Sequence, residues 1–397
     1  MMAGARRRQA SRPARDKVRE TELDSSFRGL LRPGQVTLAL MERGGRLGYR
    51  PALDGLRGVA VLLVLAQHAN VPFFAQGGTV GVTLFFVLSG FLITSILRDE
   101  RATTGRTDFR GFYLRRARRL LPALALLLVG VTAYLLASGQ SLVDVLLTAA
   151  YASNLAGASG HNLGNLVHTW TLSLEEQFYL LWPLLLPVVA RRRRPALVLA
   201  VVAALVVAWR VVLSMSGASV ERIYFGPDTR ADAIVIGCAL AFALASIPAR
   251  HLRLAAAVSA AVLAGLCAAP PESALAWLLP PITLASLVVV AHAARSAPKL
   301  LTWRPLVATG RISYGLYLWS FPVALSVESR DLPLWVSAPT IAAVSVALAL
   351  ASWFVIERPF QRRPVKAAVD PVDPVDPVDP VDPGEVVPLT SKALPAR

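Results

Sequence analysis

Ten apolar stretches, each long enough to cross the hydrocarbon core of a bilayer, dictate most of what this chain can fold into. They fall at roughly 52–70, 79–97, 120–137, 170–190, 195–213, 228–246, 253–269, 274–294, 308–326 and 335–356. A bilayer core holds no water for the backbone, so a spanning segment must satisfy its own N–H and C=O groups. Helices of about 20 apolar residues do so. The chain therefore reads as an all-α polytopic membrane protein, a bundle of about ten transmembrane helices. A hydrophobic share of 55% over 397 residues and a mean hydropathy of +0.53 exclude an ordinary soluble domain.

The charges sit between the apolar runs and set the expected topology. With the N-terminus in the cytoplasm and sides alternating, thirty-six of the forty-one Lys and Arg residues fall on the cytoplasmic side or in the tails. Only Arg222 and Arg330 lie outside, while Arg57, Arg210 and Arg230 lie within helices. That asymmetry is the positive-inside pattern and predicts a multi-pass protein of the cytoplasmic membrane with both termini cytoplasmic. It also accounts for the net charge of +16 without nucleic acid as a partner. Counting 141–157 as a further span would invert every later loop, so it reads as a re-entrant or interfacial helix.

Three regions follow. Residues 1–50 carry twelve Lys and Arg and form a basic cytoplasmic tail, expected to be disordered and suited to anionic lipid. Residues 51–360 hold the transmembrane domain. Residues 361–397 are a low-complexity cytoplasmic tail, with five Val-Asp-Pro triplets at 369–383 that favour extended polyproline II over helix or sheet. The two cysteines, Cys238 and Cys267, fall in apolar runs and show no metal-ligand spacing, so no metal is expected.

Ionisable residues inside membrane helices are expensive and mark function by default. Arg57 and His68 are eleven residues apart on the first helix. Eleven steps of about 100° return to within about 20° of the same face, about 16 Å along the axis. One stripe thus carries a permanent cation low and an imidazole high. The fourth helix runs back from Trp170 through Glu175 and Glu176 to Phe178 and Tyr179. Depth counting places Glu175 near His68, where a carboxylate and an imidazole can form an acid/base pair. Asp228, Arg230 and Asp232 open the sixth helix, as a helix cap with a local ion pair or as channel residues. Arg115, Arg116, Arg118 and Arg119 precede the third helix, as positive-inside anchors or as a phosphate clamp. His161, His168, His251 and His292 read as solvated or interfacial.

In their order along the chain, these pieces resemble the acyltransferase-3 family of integral membrane acyltransferases. The matching stretches are the Arg57-x10-His68 pair, Gly77–Ile93 with its Phe-Phe-Val-Leu-Ser-Gly-Phe core, and Arg115-Arg116-Ala-Arg118-Arg119-Leu-Leu-Pro122. Trp170–Tyr179, Arg230–Gly237, Ser313–Trp319 and Glu357-Arg-Pro359 also match, over about 50–360. The resemblance implies a ten-helix bundle that takes an acyl group, usually acetyl, from cytoplasmic acyl-CoA to a hydroxyl, often of a cell-envelope carbohydrate or glycoside. It implies His68 as the catalytic histidine with Arg57 and Glu175 beside it, and the Arg115–Arg119 cluster towards the donor. Ser89, Trp170, Tyr179, Arg230, Asp232 and Tyr314 are the expected channel residues. Two positions depart from the pattern: Thr83 stands where relatives often have Asp, and Ser320 where they often have His.

The expected mechanism has acyl-CoA entering from the cytoplasm, its phosphates on the arginine cluster and its thioester near His68. The imidazole then serves as base or acyl relay, oriented by Glu175. The competing class is a secondary transporter, whose paths are also lined by intramembrane charges. No internal repeat and no matched pair of broken helices supports that class.

Overall fold

A computed structural model describes residues 48–270 and 275–361. The basic and Val-Asp-Pro tails lie outside the described residues. Every regular element among the described residues is helical. The principal helices are α1 (Pro51–His68), α2 (Gly77–Thr104), α3 (Phe109–Ala137), α4 (Val143–Ala149), α5 (Ser153–Ala158) and α6 (Trp170–Ala190). They continue as α7 (Pro195–Met215), α8 (Val220–Phe225), α9 (Pro227–Ala243), α10 (Ala249–Cys267) and α11 (Leu275–Ser296). Helices α12 (Arg304–Arg311), α13 (Ser313–Glu328) and α14 (Leu334–Ser352) close the bundle, with α14 running through one π-helical turn, Trp353–Glu357, into α15 (Arg358–Gln361).

The ten expected spans are helical, 308–326 as two helices divided at Ile312, and seven helical segments among the described residues are long and apolar enough to cross a membrane by length and composition. The spans that fall short are α1, α6 and α13. In α1 and α6 the hydropathy is diluted by polar side chains that concern function, Arg57 and His68, and Glu175 and Glu176; α13, at 16 residues, is short.

The stretch 141–157 is not one helix but two, α4 and α5, broken at Tyr151, whose φ of 52° lies in the left-handed region. At seven and six residues, neither can span. The basic stretch also differs from expectation. Asp108 caps α3 by accepting from the Gly111 N–H at 2.8 Å, so the helix starts early and Arg115–Arg119 are helical.

Burial sorts the helices. In α2, 78% of the spanning window is buried against 17% in α7, so α2 is central and α7 shows its apolar side to lipid. Close crossings of small residues set this packing. A Cβ on Gly90 would collide with the Ile234 carbonyl, and one on Gly237 with the Val87 carbonyl, so α2 and α9 approach backbone to backbone. Helix α1 is held against α2, α12 and α13, which turns its polar stripe towards α13.

Candidate functional site

Both residues of the α1 stripe meet serines of α13. Arg57 Nη2 donates to Ser313 Oγ at 3.2 Å, and His68 Nδ1 lies 2.9 Å from Ser320 Oγ. Arg57 and His68 thus face one neighbour, as the eleven-residue spacing predicts, and Ser313 and Ser320 repeat that face seven residues apart. Ser320 Oγ also lies 3.1 Å from the Tyr317 carbonyl, and when its hydroxyl proton goes there its oxygen accepts from Nδ1–H. In that tautomer His68 Nε2 keeps its lone pair, the form a general base or nucleophile needs. Ser320→Ala should lower kcat about 10- to 100-fold while leaving the donor KM near its starting value, because an unguided ring loses the reactive tautomer part of the time. Steady-state kinetics on both substrates checks this; a change confined to KM would refute it.

The imidazole sits in an aromatic setting. Its centroid is 5.2 Å from the Phe321 ring, edge-on, and Phe321 is also 5.2 Å from His168. His168, expected to be solvated or interfacial, is 5% exposed. Its Nε2–H donates to the Leu318 carbonyl at 3.1 Å, and its buried Nδ1 has no partner among the described residues. Sequence offered no signal for it, since His168 lies before α6 in a 3-10 turn, Gly164–Thr169, that packs on α13 only in the fold.

Glu175 is where the structure departs most from expectation. Depth counting put it beside His68, but Ser89 donates to Glu175 Oε1 at 2.6 Å, and the Tyr179 hydroxyl donates to Ser89 at 3.0 Å. The charges that act on Glu175 are Arg116, Arg57 and Arg119. The carboxylate therefore belongs to the Arg57 end, and the partner of His68 is a serine. The expectation took Trp170 as a lipid-surface boundary, whereas Trp170 and the His168 and Thr169 before it are buried inside the protein.

The arginine cluster divides. Arg116 stacks on the Tyr179 ring at 4.0 Å, and Arg119 interacts electrostatically with Arg57 and Arg116. Arg115 instead lies 3.8 Å from Asp108. Three guanidiniums thus surround one carboxylate, an excess of positive charge suited to an anion.

Between the two ends lies a narrow cavity of about 50 Å³, lined by Arg57, Phe86, Thr171, Glu175, Tyr314 and Tyr317 among others. His68 is not among its lining residues; of those that are, Thr171 and Tyr317 are hydrogen-bonded at 2.7 Å and Tyr317 donates to the His168 carbonyl at 2.7 Å. Tyr314 donates to the Leu120 carbonyl at 3.1 Å, tying α13 to α3. The expected stripe exists, but the cavity beside it is lined by Arg57 and not by His68.

Arg230 and Asp232, expected together in the channel, have separate surroundings. Asp232 is 3% exposed and takes both nitrogens of the fully buried Arg210, at 2.9 and 3.2 Å, in a bidentate pair. Arg230 is buried among Phe86, Trp170 and Tyr224, its Cζ 5.4–5.9 Å from the three ring centroids. Trp170 therefore serves as a wall of that cage. The buried Nε and Nη2 of Arg230 lack hydrogen-bond partners among the described residues. Asp228 pairs with Arg222 at 2.6 Å. No group of three or more potential metal ligands occurs among the described residues.

Comparison with known proteins gives a family model, described as an acyltransferase domain, that matches residues 50–358. The chain is 35% identical over 352 residues to YrhL of Bacillus subtilis (strain 168), covering 79% of this chain and 55% of that protein. It is 31% identical over 351 residues to the peptidoglycan O-acetyltransferase OatA of Listeria monocytogenes, covering 79% and 56%. It is 30% identical over 353 residues to the O-acetyltransferase OatA of Staphylococcus aureus (strain NCTC 8325 / PS 47), covering 80% and 58%. The chain thus spans little more than half the length of these curated relatives. No solved structure matches it.

Proposed function

This chain belongs to the acyltransferase-3 family of integral membrane acyltransferases, and from that premise we propose that it moves an acetyl group from acetyl-CoA to a hydroxyl of a cell-envelope carbohydrate. The observation that supports the reading is the pairing of His68 Nδ1 with Ser320 at 2.9 Å, with Nε2 making no hydrogen bond among the described residues, on the stripe whose other end, Arg57, lines a cavity beside Glu175. In the proposed reaction, Nε2 accepts the acceptor's hydroxyl proton while the oxygen attacks the thioester carbonyl. The carbon–sulfur bond breaks, and the proton passes to the leaving thiolate of CoA. An ester and free CoA result.

The relatives' names support an O-acetyl acceptor chemistry, and peptidoglycan is the first acceptor to try. The donor would enter from the cytoplasm at the Arg57 end, with Arg116 and Arg119 on its phosphates. The small cavity suits a two-carbon acyl group better than a long chain. At that end Glu175 would hold Arg57, Arg116 and Arg119 in place rather than orient the imidazole. Both termini would be cytoplasmic and the acceptor would meet His68 from outside.

Purified full-length chain in nanodiscs, given acetyl-CoA with and without peptidoglycan fragments, tests this by free thiol release and mass spectrometry. Release coupled to one acetyl per fragment is expected. Solute uptake into vesicles without chemical change would instead identify a transporter. Arg116→Ala and Arg119→Ala should each raise the donor KM about 10- to 100-fold, since a charged hydrogen bond contributes about 1.5–3 kcal/mol. An unchanged donor KM in both would remove the phosphate role.

A further inference from the structure

A second cavity, sharing no lining residue with the one at Arg57, opens where α3 ends. It measures about 230 Å³, and its polar wall is formed by Tyr134, Gln140, Asp144 and Asn165 over an apolar floor that includes Leu135 and Leu166. We infer that this cleft is an acceptor subsite for a neutral sugar ring, a neighbour in the glycan of the ring that is acetylated. The inference rests on the carbohydrate-acceptor reading above and adds the place where the acceptor is gripped.

Four observations carry it. The size lies just below the range of about 300–1,000 Å³ for drug-sized pockets, which is the scale of one pyranose. The side chains suit hydroxyls: a carboxylate accepts, while the Gln140 and Asn165 amides both donate and accept. Tyr134, in the last turns of α3 and 55% exposed, offers a ring face for the C–H side of a sugar. No Lys or Arg lines the cleft, and Asp144 repels phosphates, so an anionic lipid headgroup is the poorer fit.

The cleft is built rather than incidental. His161 Nε2 hydrogen-bonds Asp144 Oδ1 at 2.7 Å, which fixes the carboxylate and leaves Oδ2 for a ligand. Gly164, at a φ of +48°, turns the chain so that the 3-10 helix can start beside Asp144. That same 3-10 turn carries Asn165 at one end and His168 three residues on, about 6 Å along its axis. His168 meets Phe321, which meets His68. The turn that carries one wall of the cleft is thus the turn that packs, through His168 and Phe321, against the imidazole.

The test uses the full chain in nanodiscs with neutral β-1,4-linked N-acetylglucosamine oligomers of one to four rings as acceptors. In the unaltered protein kcat/KM should rise about tenfold from one ring to three. Asn165→Ala and Tyr134→Leu should each erase that rise, lowering the three-ring to one-ring ratio about tenfold. A ratio that stays unchanged in both variants overturns the subsite. Binding is read separately by saturation-transfer NMR with the tetramer on the catalytically silent His68→Ala chain. Signal there that Asn165→Ala abolishes supports the cleft even if no transfer is ever seen, whereas signal that persists in both cleft variants overturns it. Failure of acetyl transfer with NMR binding intact would count against the enzymatic reading alone.

Discussion

His68→Ala is expected to abolish acetyl transfer, lowering kcat by about 10²–10⁴-fold, the usual contribution of a positioned general base. The fold should tolerate it. His68 is half-buried on α1, its ring makes one hydrogen bond and one edge contact, and α1 is anchored elsewhere by α2 and α12. Losing the imidazole leaves Ser320 still bonded to the Tyr317 carbonyl, so no buried donor is stranded. The measurement is acceptor-dependent CoA release, with thermal melting in detergent alongside. A variant that melts with the parent and turns over at the parent's rate would refute any chemical role for His68. If an acetylated enzyme is trapped from the unaltered chain but not from His68→Ala, the relay route is favoured over the base route. His68→Gln separates shape from chemistry: its amide can donate to Ser320 as Nδ1–H does but supplies no base, so it should be as inactive as the alanine variant.

The architecture was legible because a bilayer removes most alternatives. Apolar runs of spanning length can only be helices there, and the ten runs are helical, 308–326 as two helices divided at Ile312. The angular position of Arg57 and His68 was equally readable, since helical periodicity needs no knowledge of neighbours; both do face α13. Depth across different helices was not readable. Glu175 was placed beside His68 by assuming that α6 begins at the membrane surface, whereas the turn before it is buried and Glu175 bonds Ser89. Pairing was also out of reach. Ser320 looked like a loss relative to the family pattern, yet it is the partner of His68, and Arg210 gave no hint that it would meet Asp232 twenty-two residues on. Such partnerships depend on how helices rotate against one another, which glycines such as Gly90 and Gly237 decide through backbone contact.

Asp232→Ala should cost about 3–5 kcal/mol of stability, because it strands a guanidinium that has no access to solvent. Arg210 is 0% exposed, and both of its terminal nitrogens are used by Asp232, with Nη1 also donating to the Thr229 carbonyl at 2.6 Å. Removing the carboxylate leaves one neutral acceptor, the Thr229 carbonyl, for a full charge. Arg210→Met should cost a similar amount, since among the described residues it leaves the carboxylate one hydrogen-bond donor, Thr283 Oγ1 at 3.5 Å, beside the more distant charge of Arg230. The double variant Arg210→Met with Asp232→Leu removes both charges and keeps the volume, so it should recover most of the loss. The nearby Asp228–Arg222 pair supplies the contrast: its side chains are 42% and 33% exposed, and breaking it should cost no more than about 1 kcal/mol. Equilibrium unfolding in mixed detergent checks all four variants. The pattern also decides what Asp232 is for. A structural pair predicts that residual activity follows the folded fraction and that the double variant regains both together. An Asp232→Ala chain that unfolds with the parent, but shows a raised acceptor KM, would instead return Asp232 to the substrate path and leave Arg210 as its support.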